Sequence, residues 1–170
     1  MALIAAMALF VGCPGGGEAD DKEDDEINDE MDFRLIFTNT EDNDGVAVTI
    51  GKDSFSWEGA QEGQLVTPKD KTWDISGASG FKFQYRSNGN ATFFIMDVDS
   101  SGNYMSIFST DGSNDGWGAI GASDDWVEIT IPFTYLKKAW GDKNTDLSKV
   151  YKIWFGGTDK FEARNWVCYK

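Results

Sequence analysis

The side chains available for acid–base or nucleophilic chemistry are restricted, because the sequence contains no histidine. This excludes Ser-His-Asp and Cys-His nucleophile arrangements and leaves carboxylates, lysine and tyrosine for any catalysis. A glycosidase needs two carboxyl groups about 5 to 9 Å apart. Six acidic residues are candidates for such a pair, but no spacing selects two of them, so the sequence disfavours an enzyme: Glu58, Glu62, Asp97, Asp99, Glu128 and Glu162.

The acidic charge of the chain is concentrated near its N-terminus. The net charge is −14, and residues 18–32 hold ten acidic residues against Lys22 alone. Such a segment cannot bury enough apolar surface to offset the entropy of ordering, so residues 13–32 are predicted to form a disordered tether. No basic stripe interleaved with aromatic residues occurs elsewhere. Nucleic-acid binding is therefore not expected.

The first twelve residues form an uncharged apolar run that is too short to span a bilayer as a helix. Residues 1–12 are therefore predicted to be a signal peptide. The run ends in Phe10-Val11-Gly12-Cys13, which resembles the lipobox of bacterial lipoproteins. The resemblance implies that Cys13 is acylated and anchors the protein in the bacterial cell envelope, at the outer membrane or cell surface; the alternative is an ordinary cleaved signal. Cys168 is interpreted as a core thiol, not as a disulfide partner.

From Phe33 onward, short alternating runs separated by Gly, Asn, Asp and Ser predict antiparallel strands. A turn is expected over 133–140, after Pro132. Aromatic residues are 14% of the chain and glycines number nineteen, which favours an all-β fold. The predicted strands are Arg34–Thr38, Val46–Ile50, Gly63–Thr67, Phe81–Ser87, Thr92–Asp99, Tyr104–Ser109, Trp126–Ile131, Val150–Phe155 and Glu162–Tyr169.

The period-two pattern of three strands assigns their faces. The residues predicted to point into the core are Phe81, Phe83, Tyr85, Val127, Ile129, Ile131, Tyr151, Ile153 and Phe155. Their neighbours, including Gln84, Arg86 and Trp154, are predicted to face outward. Two sheets sharing one core follow, so residues 33–170 are predicted to form an antiparallel β-sandwich of the jelly-roll kind.

Three stretches in fixed order carry a family resemblance: Asp74–Phe83, Trp126–Phe133 and Leu147–Ile153. The region 33–170 resembles the carbohydrate-binding modules of families 11 and 30, which are galactose-binding-like jelly rolls. The resemblance implies binding of a polysaccharide, a β-glucan, in a cleft across one concave sheet. Relatives hold a structural calcium through an Asp-Asn-Val element, but Arg164 stands in the aspartate's place here. No cofactor is expected, and the sequence does not decide whether a structural calcium binds.

A sugar ring presents an apolar C–H face and a rim of hydroxyls, so its site needs an exposed flat aromatic ring and polar side chains. Trp154 is the aromatic candidate, with covering of the sandwich edge as the alternative role. Gln84 and Arg86 are expected to share its sheet, although simple solvation also explains them. Trp117 is predicted either to line one end of the cleft or to pack a long loop against the body of the domain. The complete predicted ligand set is Gln84, Arg86, Asp97, Asp99, Tyr104, Trp117 and Trp154.

Three functions are compatible with these features. The first is a surface-anchored, non-catalytic lipoprotein that binds polysaccharide and lies near cell-surface enzymes. The second is a structural or assembly protein that binds another protein through the same sandwich. The third is a small glycosidase. A binding function is favoured because no spacing selects a carboxylate pair and jelly-roll glycosidases usually need more chain to build a cleft.

Overall fold

The computed structural model describes residues 32–38, 46–97, 104–107, 120–141 and 143–170. Within these ranges the chain forms one short helix, ten strands and one 3₁₀ turn. The helix is α1 (Phe33–Ile36) and the turn is Phe133–Tyr135. The strands are β1 (Thr49–Ile50), β2 (Phe55–Glu58), β3 (Glu62–Val66), β4 (Gly80–Ser87), β5 (Thr92–Asp97), β6 (Tyr104–Ile107), β7 (Ser123–Pro132), β8 (Leu136–Trp140), β9 (Val150–Gly156) and β10 (Lys160–Tyr169).

The strands form two antiparallel five-stranded sheets. Sheet A has the order β1-β2-β10-β4-β7, and sheet B has the order β3-β9-β5-β6-β8. Most chain connections pass from one sheet to the other, for example from β2 to β3, β3 to β4 and β4 to β5. This crossing pattern is that of a jelly roll, in which two antiparallel sheets share one core. The predicted all-β, antiparallel β-sandwich fold is confirmed.

Trp166 is the largest of the fully buried side chains among the described residues. A register shift in β10 between Arg164 and Val167 inserts one extra residue, and Asn165 adopts a left-handed φ of 52°. A bulge of this kind turns the following side chain. Trp166 therefore points inward and stacks on Phe83, with ring centroids 4.0 Å apart and an interplanar angle of 10°.

The predicted strand Arg34–Thr38 is wrong, because residues 33–36 form the helix α1. Asp32 caps this helix: its carboxylate accepts a hydrogen bond from the Arg34 amide and pairs with the Arg34 guanidinium at 2.6 Å. The guanidinium lowers the pKa of Asp32. Phe33 and Phe37 are one helical turn apart, so both reach the core. No helix in the described ranges is long and apolar enough to cross a membrane.

Two strands were absent from the sequence prediction. Residues 55–58 form β2, and the predicted turn over 133–140 is a 3₁₀ turn that continues directly into β8. Strand β8 forms because its backbone pairs with β6. Leu136 is buried at the start of β8, whereas Tyr135 is exposed. Both strands are short, and short apolar runs are poorly separated from turns by periodicity alone.

The predicted inward faces are mostly confirmed. Phe81, Phe83 and Tyr85 are buried, as is the Cys168 thiol, whose pKa burial raises to about 12. Val127 is the first exception: it is 40% exposed because β7 is an edge strand of sheet A.

Tyr151 is the second exception to the predicted faces. A register shift places Val150 opposite Asp97 and Lys152 opposite Met96, so Tyr151 is the extra residue of a bulge. The Tyr151 hydroxyl donates to Met96 Sδ at 3.1 Å. The strict alternation predicted for β9 is therefore broken at this residue.

Candidate functional site

Two rows of register positions cross the outer face of sheet B. Directly paired residues of an antiparallel ladder share a face, so each row can be read from strand to strand. In the order β3-β9-β5-β6-β8, the first row is Gln64, Trp154, Phe94, Ser106 and Lys137. The second row is Val66, Lys152, Met96, Tyr104 and Trp140, where only the backbone position of Tyr104 is described.

Three aromatic rings of these rows stack on one another, and we call Trp154, Phe94 and Trp140 the aromatic strip. The Phe94 ring lies between the other two: its centroid is 4.8 Å from Trp154 and 5.2 Å from Trp140, with interplanar angles of 27° and 20°. Ser106 pairs with Phe94 and is small, which leaves room for Trp140 to lean across β6. The strip is therefore a stack of three rings carried by three strands of the sheet, with Phe94 in the middle.

Exposure differs along the aromatic strip. Phe94 is only 2% exposed, so it supports its neighbours from below, whereas Trp140 is 41% exposed and Trp154 is half-buried. The two tryptophans are therefore the members of the strip that reach the surface.

Polar groups lie beside the strip on β3 and β9. Gln64 pairs in register with Trp154, and its Nε2 donates to Glu62 Oε1 at 3.0 Å. This bond fixes the amide, while the amide and the carboxylate retain further hydrogen-bonding capacity. Lys152 lies two residues from Trp154 and is also half-buried. The outer face of sheet B thus combines flat rings with donors and acceptors.

The outer face of sheet A carries a different arrangement, in which charged groups bind one another. Arg164 Nε donates to Gln84 Oε1 at 3.0 Å, and Arg86 Nη2 pairs with Glu162 at 2.7 Å. Both guanidiniums lie over the Trp126 ring, at 5.0 Å for Arg86 and 3.9 Å for Arg164. The ring and the polar groups of this face are therefore engaged within the protein.

Three of the six candidate carboxylates lie on sheet A and approach lysines. Glu58 and Glu162 both approach Lys160 Nζ, at 3.0 and 4.0 Å, and Glu128 approaches Lys82 at 3.6 Å. Among the described residues, no group of three or more acidic or cysteine side chains is placed to hold a metal ion.

No protein-family model matches this chain, and comparison with curated protein sequences finds no match. Similar solved structures exist. The family 11 carbohydrate-binding module of a cellulosomal cellulase of Clostridium thermocellum is 16% identical, with a TM-score of 0.48 and coverage of 80% of this chain and 89% of that chain. A family 29 carbohydrate-binding module complexed with mannohexaose is 13% identical, with a TM-score of 0.45 and coverage of 79% and 88%. An agarase is 15% identical, with a TM-score of 0.45 and coverage of 79% and 22%.

The structure separates the predicted ligand residues. Gln84 and Arg86 lie on β4 of sheet A, whereas Trp154 lies on β9 of sheet B. The expectation that they share one sheet is therefore wrong. An outward direction read from a period of two does not say which sheet a strand joins. Asp99, Trp117 and Cys13 lie outside the described residues, and Tyr104 is placed only as a backbone position in β6.

Three residues of the sheet B face were missed from the sequence: Gln64, Phe94 and Trp140. Phe94 lies in the continuous apolar run of β5, whose residues are buried on both faces. Such a run has no alternation, so periodicity cannot assign a face to any of its members. Trp140 lies in the missed strand β8. The signal available for Gln64 was its outward position in a predicted strand.

Asp97 has a structural position and is not a ligand contact in this structure. Its side chain is completely buried, and Oδ2 accepts a hydrogen bond from the Asp146 amide at 2.6 Å. The neighbouring Thr145 hydroxyl donates to the Ile95 carbonyl at 3.2 Å. These bonds tie the segment before β9 to strand β5. A sugar outside the sheet cannot reach the Asp97 carboxylate.

We expect Asp97→Ala to lower the free energy of unfolding by about 1 to 3 kcal/mol, because it leaves the partly buried Asp146 amide without its acceptor. Urea unfolding followed by circular dichroism measures the change. The exposed residue Asp124 provides the control, since Asp124→Ala is expected to shift stability by less than about 0.5 kcal/mol. An Asp97→Ala protein of unchanged stability would contradict the structural role.

Proposed function

We propose that this protein is a non-catalytic polysaccharide-binding protein whose binding surface is the outer face of sheet B, with a β-glucan as its ligand. The observation that carries the proposal is the aromatic strip on that face. The exposed parts of Trp154 and Trp140 suit the apolar faces of sugar rings, while Gln64 and Glu62 are placed to bind hydroxyl groups at the edge.

The construction of the strip supports this role. Its three rings stand on strands β9, β5 and β8, so the hydrogen-bonded sheet fixes their spacing before any ligand arrives. A site built on strands loses less conformational entropy on binding than one built on loops. Preorganisation of this kind suits a binder that holds an extended chain across the sheet.

The state of the carboxylates favours binding without hydrolysis. Glu58 and Glu162 are ion-paired with Lys160, Glu62 accepts a hydrogen bond from Gln64, and Asp97 is buried. A glycosidase of either stereochemistry needs one carboxylic acid and one carboxylate on opposite sides of the scissile bond. The described residues offer no such pair beside the aromatic strip.

Affinity electrophoresis of the full chain tests the function. We expect native gels containing mixed-linkage β-glucan or hydroxyethylcellulose to retard the protein relative to a gel without sugar. Xylan and mannan gels test whether the preference is for β-glucan. Release of reducing sugar from the same polymers would contradict the non-catalytic role, and no retardation in any gel would contradict polysaccharide binding.

We further propose that acylated Cys13 anchors the protein in the cell envelope, with residues 14–31 as the tether. The sequence Phe10-Val11-Gly12-Cys13 supports this proposal. Two acyl chains on one residue are sufficient for stable membrane attachment. We expect Cys13→Ser to move the protein from the membrane fraction to the soluble fraction after ultracentrifugation. Cys168→Ser is the matched control and should leave the distribution unchanged. Persistent membrane association of Cys13→Ser would contradict acylation.

A further inference from the structure

Two lysines accompany the two tryptophans of the aromatic strip. On β9, Lys152 precedes Trp154 by two residues, and on β8, Lys137 precedes Trp140 by three. The difference in spacing is removed by a register shift in the pairing of β6 with β8. Lys152 and Trp140 therefore share the second row, whereas Lys137 and Trp154 share the first row.

This arrangement is nearly symmetric. Strands β9 and β8 run antiparallel to each other, since three antiparallel pairings connect them through β5 and β6. Each strand thus presents one ring and one ammonium. The ring lies in the first row on β9 and in the second row on β8, and the ammonium lies in the other row. Three strand spacings of about 4.8 Å separate the two pairs by about 14 Å. A polymer crossing the strands meets a ring and a cation at both ends of its path.

The environment of Lys152 differs from that of an ordinary surface lysine. The residue is half-buried, and no described residue forms a hydrogen bond or an ion pair with its ammonium. The ammonium lies 5.9 Å from the Tyr151 ring centroid. Burial lowers the pKa of Lys152, and the more distant carboxylate of Glu62 partly opposes this effect. A partly desolvated cation gains from an anion that approaches it.

Lys137 completes the cationic character of the face. It is exposed on the edge strand β8, and none of the described residues pairs with it. By contrast, the lysines on the outer face of sheet A lie beside acidic partners: Lys82 is 3.6 Å from Glu128, and Lys160 is 3.0 Å from Glu58. Within the two rows, lysine is the charged residue type, whereas the carboxylate on this face, Glu62, lies outside the rows and is bonded to the Gln64 amide.

We propose that the outer face of sheet B prefers polysaccharides whose sugar backbone carries anionic substituents, carboxylate or sulfate, and that Lys152 and Lys137 contact these anions. This inference rests on the proposed function, because the tryptophans bind the sugar backbone of the polysaccharide while the lysines contact its substituents. The overall charge of the chain is −14, so long-range electrostatics oppose binding of a polyanion. If the protein prefers an anionic polymer to a neutral one, the preference must therefore come from local contacts on this face.

Cellulose derivatives with one backbone and different substituents test the inference. The full chain is run through native gels containing hydroxyethylcellulose, carboxymethylcellulose or cellulose sulfate, and apparent affinities are obtained from retardation against polymer concentration. We expect carboxymethylcellulose or cellulose sulfate to bind more tightly than the neutral derivative. The anionic gel that retards the protein more strongly identifies carboxylate or sulfate as the preferred group. Added salt should reduce the difference.

The lysine variants assign the contacts. We expect Lys152→Gln and Lys137→Gln each to reduce the ratio of affinity for the anionic polymer to affinity for hydroxyethylcellulose by about three- to tenfold. Lys152→Arg should retain the preference, because it keeps the charge. Lys82→Gln on the opposite sheet is the matched control and should behave as the unsubstituted protein.

The outcomes separate this inference from the function on which it rests. Equal affinity for neutral and anionic derivatives, or an anionic preference that survives both glutamine substitutions, overturns the inference and leaves polysaccharide binding intact. Absence of retardation in every gel overturns the proposed function itself. An anionic preference that disappears in the glutamine variants supports both.

Discussion

Replacement of Trp154 by alanine is expected to lower the affinity for β-glucan by about 1 to 3 kcal/mol, a loss of roughly five- to 150-fold, by analogy with aromatic stacking on other flat ligands. The change removes the ring that stacks on Phe94 at 4.8 Å, and with it one end of the aromatic strip. The backbone of β9 is unaffected, because Trp154 points away from the core. Isothermal titration with soluble mixed-linkage glucan measures the loss.

A tryptophan of the opposite sheet provides the matched control. Trp126 is similar in size and only partly buried, and it lies under Arg86 and Arg164 on sheet A. Trp126→Ala should therefore leave glucan affinity unchanged. Circular dichroism of both variants verifies that the sandwich is retained. If Trp126→Ala weakens binding and Trp154→Ala does not, the binding surface lies on sheet A and our assignment to sheet B is wrong.

Trp166→Ala is expected to lower the free energy of unfolding by about 3 to 5 kcal/mol, the range for loss of a large buried aromatic side chain. Trp166 is fully buried. Its ring centroid lies 4.0 Å from that of Phe83, on which it stacks, and 4.9 Å from that of Phe81. Its removal leaves a cavity between the sheets. Because a domain of this size has a total stability of about 5 to 15 kcal/mol, much of that stability is lost.

Urea unfolding followed by far-ultraviolet circular dichroism measures this effect. Trp166→Phe should be affected less, because it keeps a ring in contact with Phe83. Trp140→Ala, which removes a 41% exposed ring, should change stability by less than about 1 kcal/mol. A Trp166→Ala protein with the unfolding midpoint of the unsubstituted chain would contradict the central packing role.

The period of two in the sequence was sufficient to predict the fold class. Alternation in the region of β4 placed Phe81, Phe83 and Tyr85 in the core, and all three are buried. Such alternation is a local property, because successive side chains of a strand necessarily point to opposite faces. The same property predicted that Trp154 faces outward. It failed where a bulge adds a residue, as at Tyr151.

Helix α1 shows a second limit of local patterns. Phe33 and Phe37 satisfy both a helical spacing and an alternating pattern that includes Leu35. The cap formed by Asp32 and Arg34, together with the Phe33 amide hydrogen bond to the Lys52 carbonyl, selects the helix. Leu35 is consequently 80% exposed. A contact with a residue distant in sequence decided between two conformations of similar local preference.

The sequence by itself determined the all-β fold class, most of the strands, and that Trp154, Gln84 and Arg86 point away from the core. Only the tertiary structure decided that Trp154 lies on one sheet and the other two on the opposite sheet, and that Phe94 and Trp140 stack beside it. Strand neighbours are chosen by long-range backbone pairing, in which β9 joins β5 and β10 joins β4. Side-chain alternation does not indicate which sheet a strand joins, because the alternation is identical for a strand in either sheet.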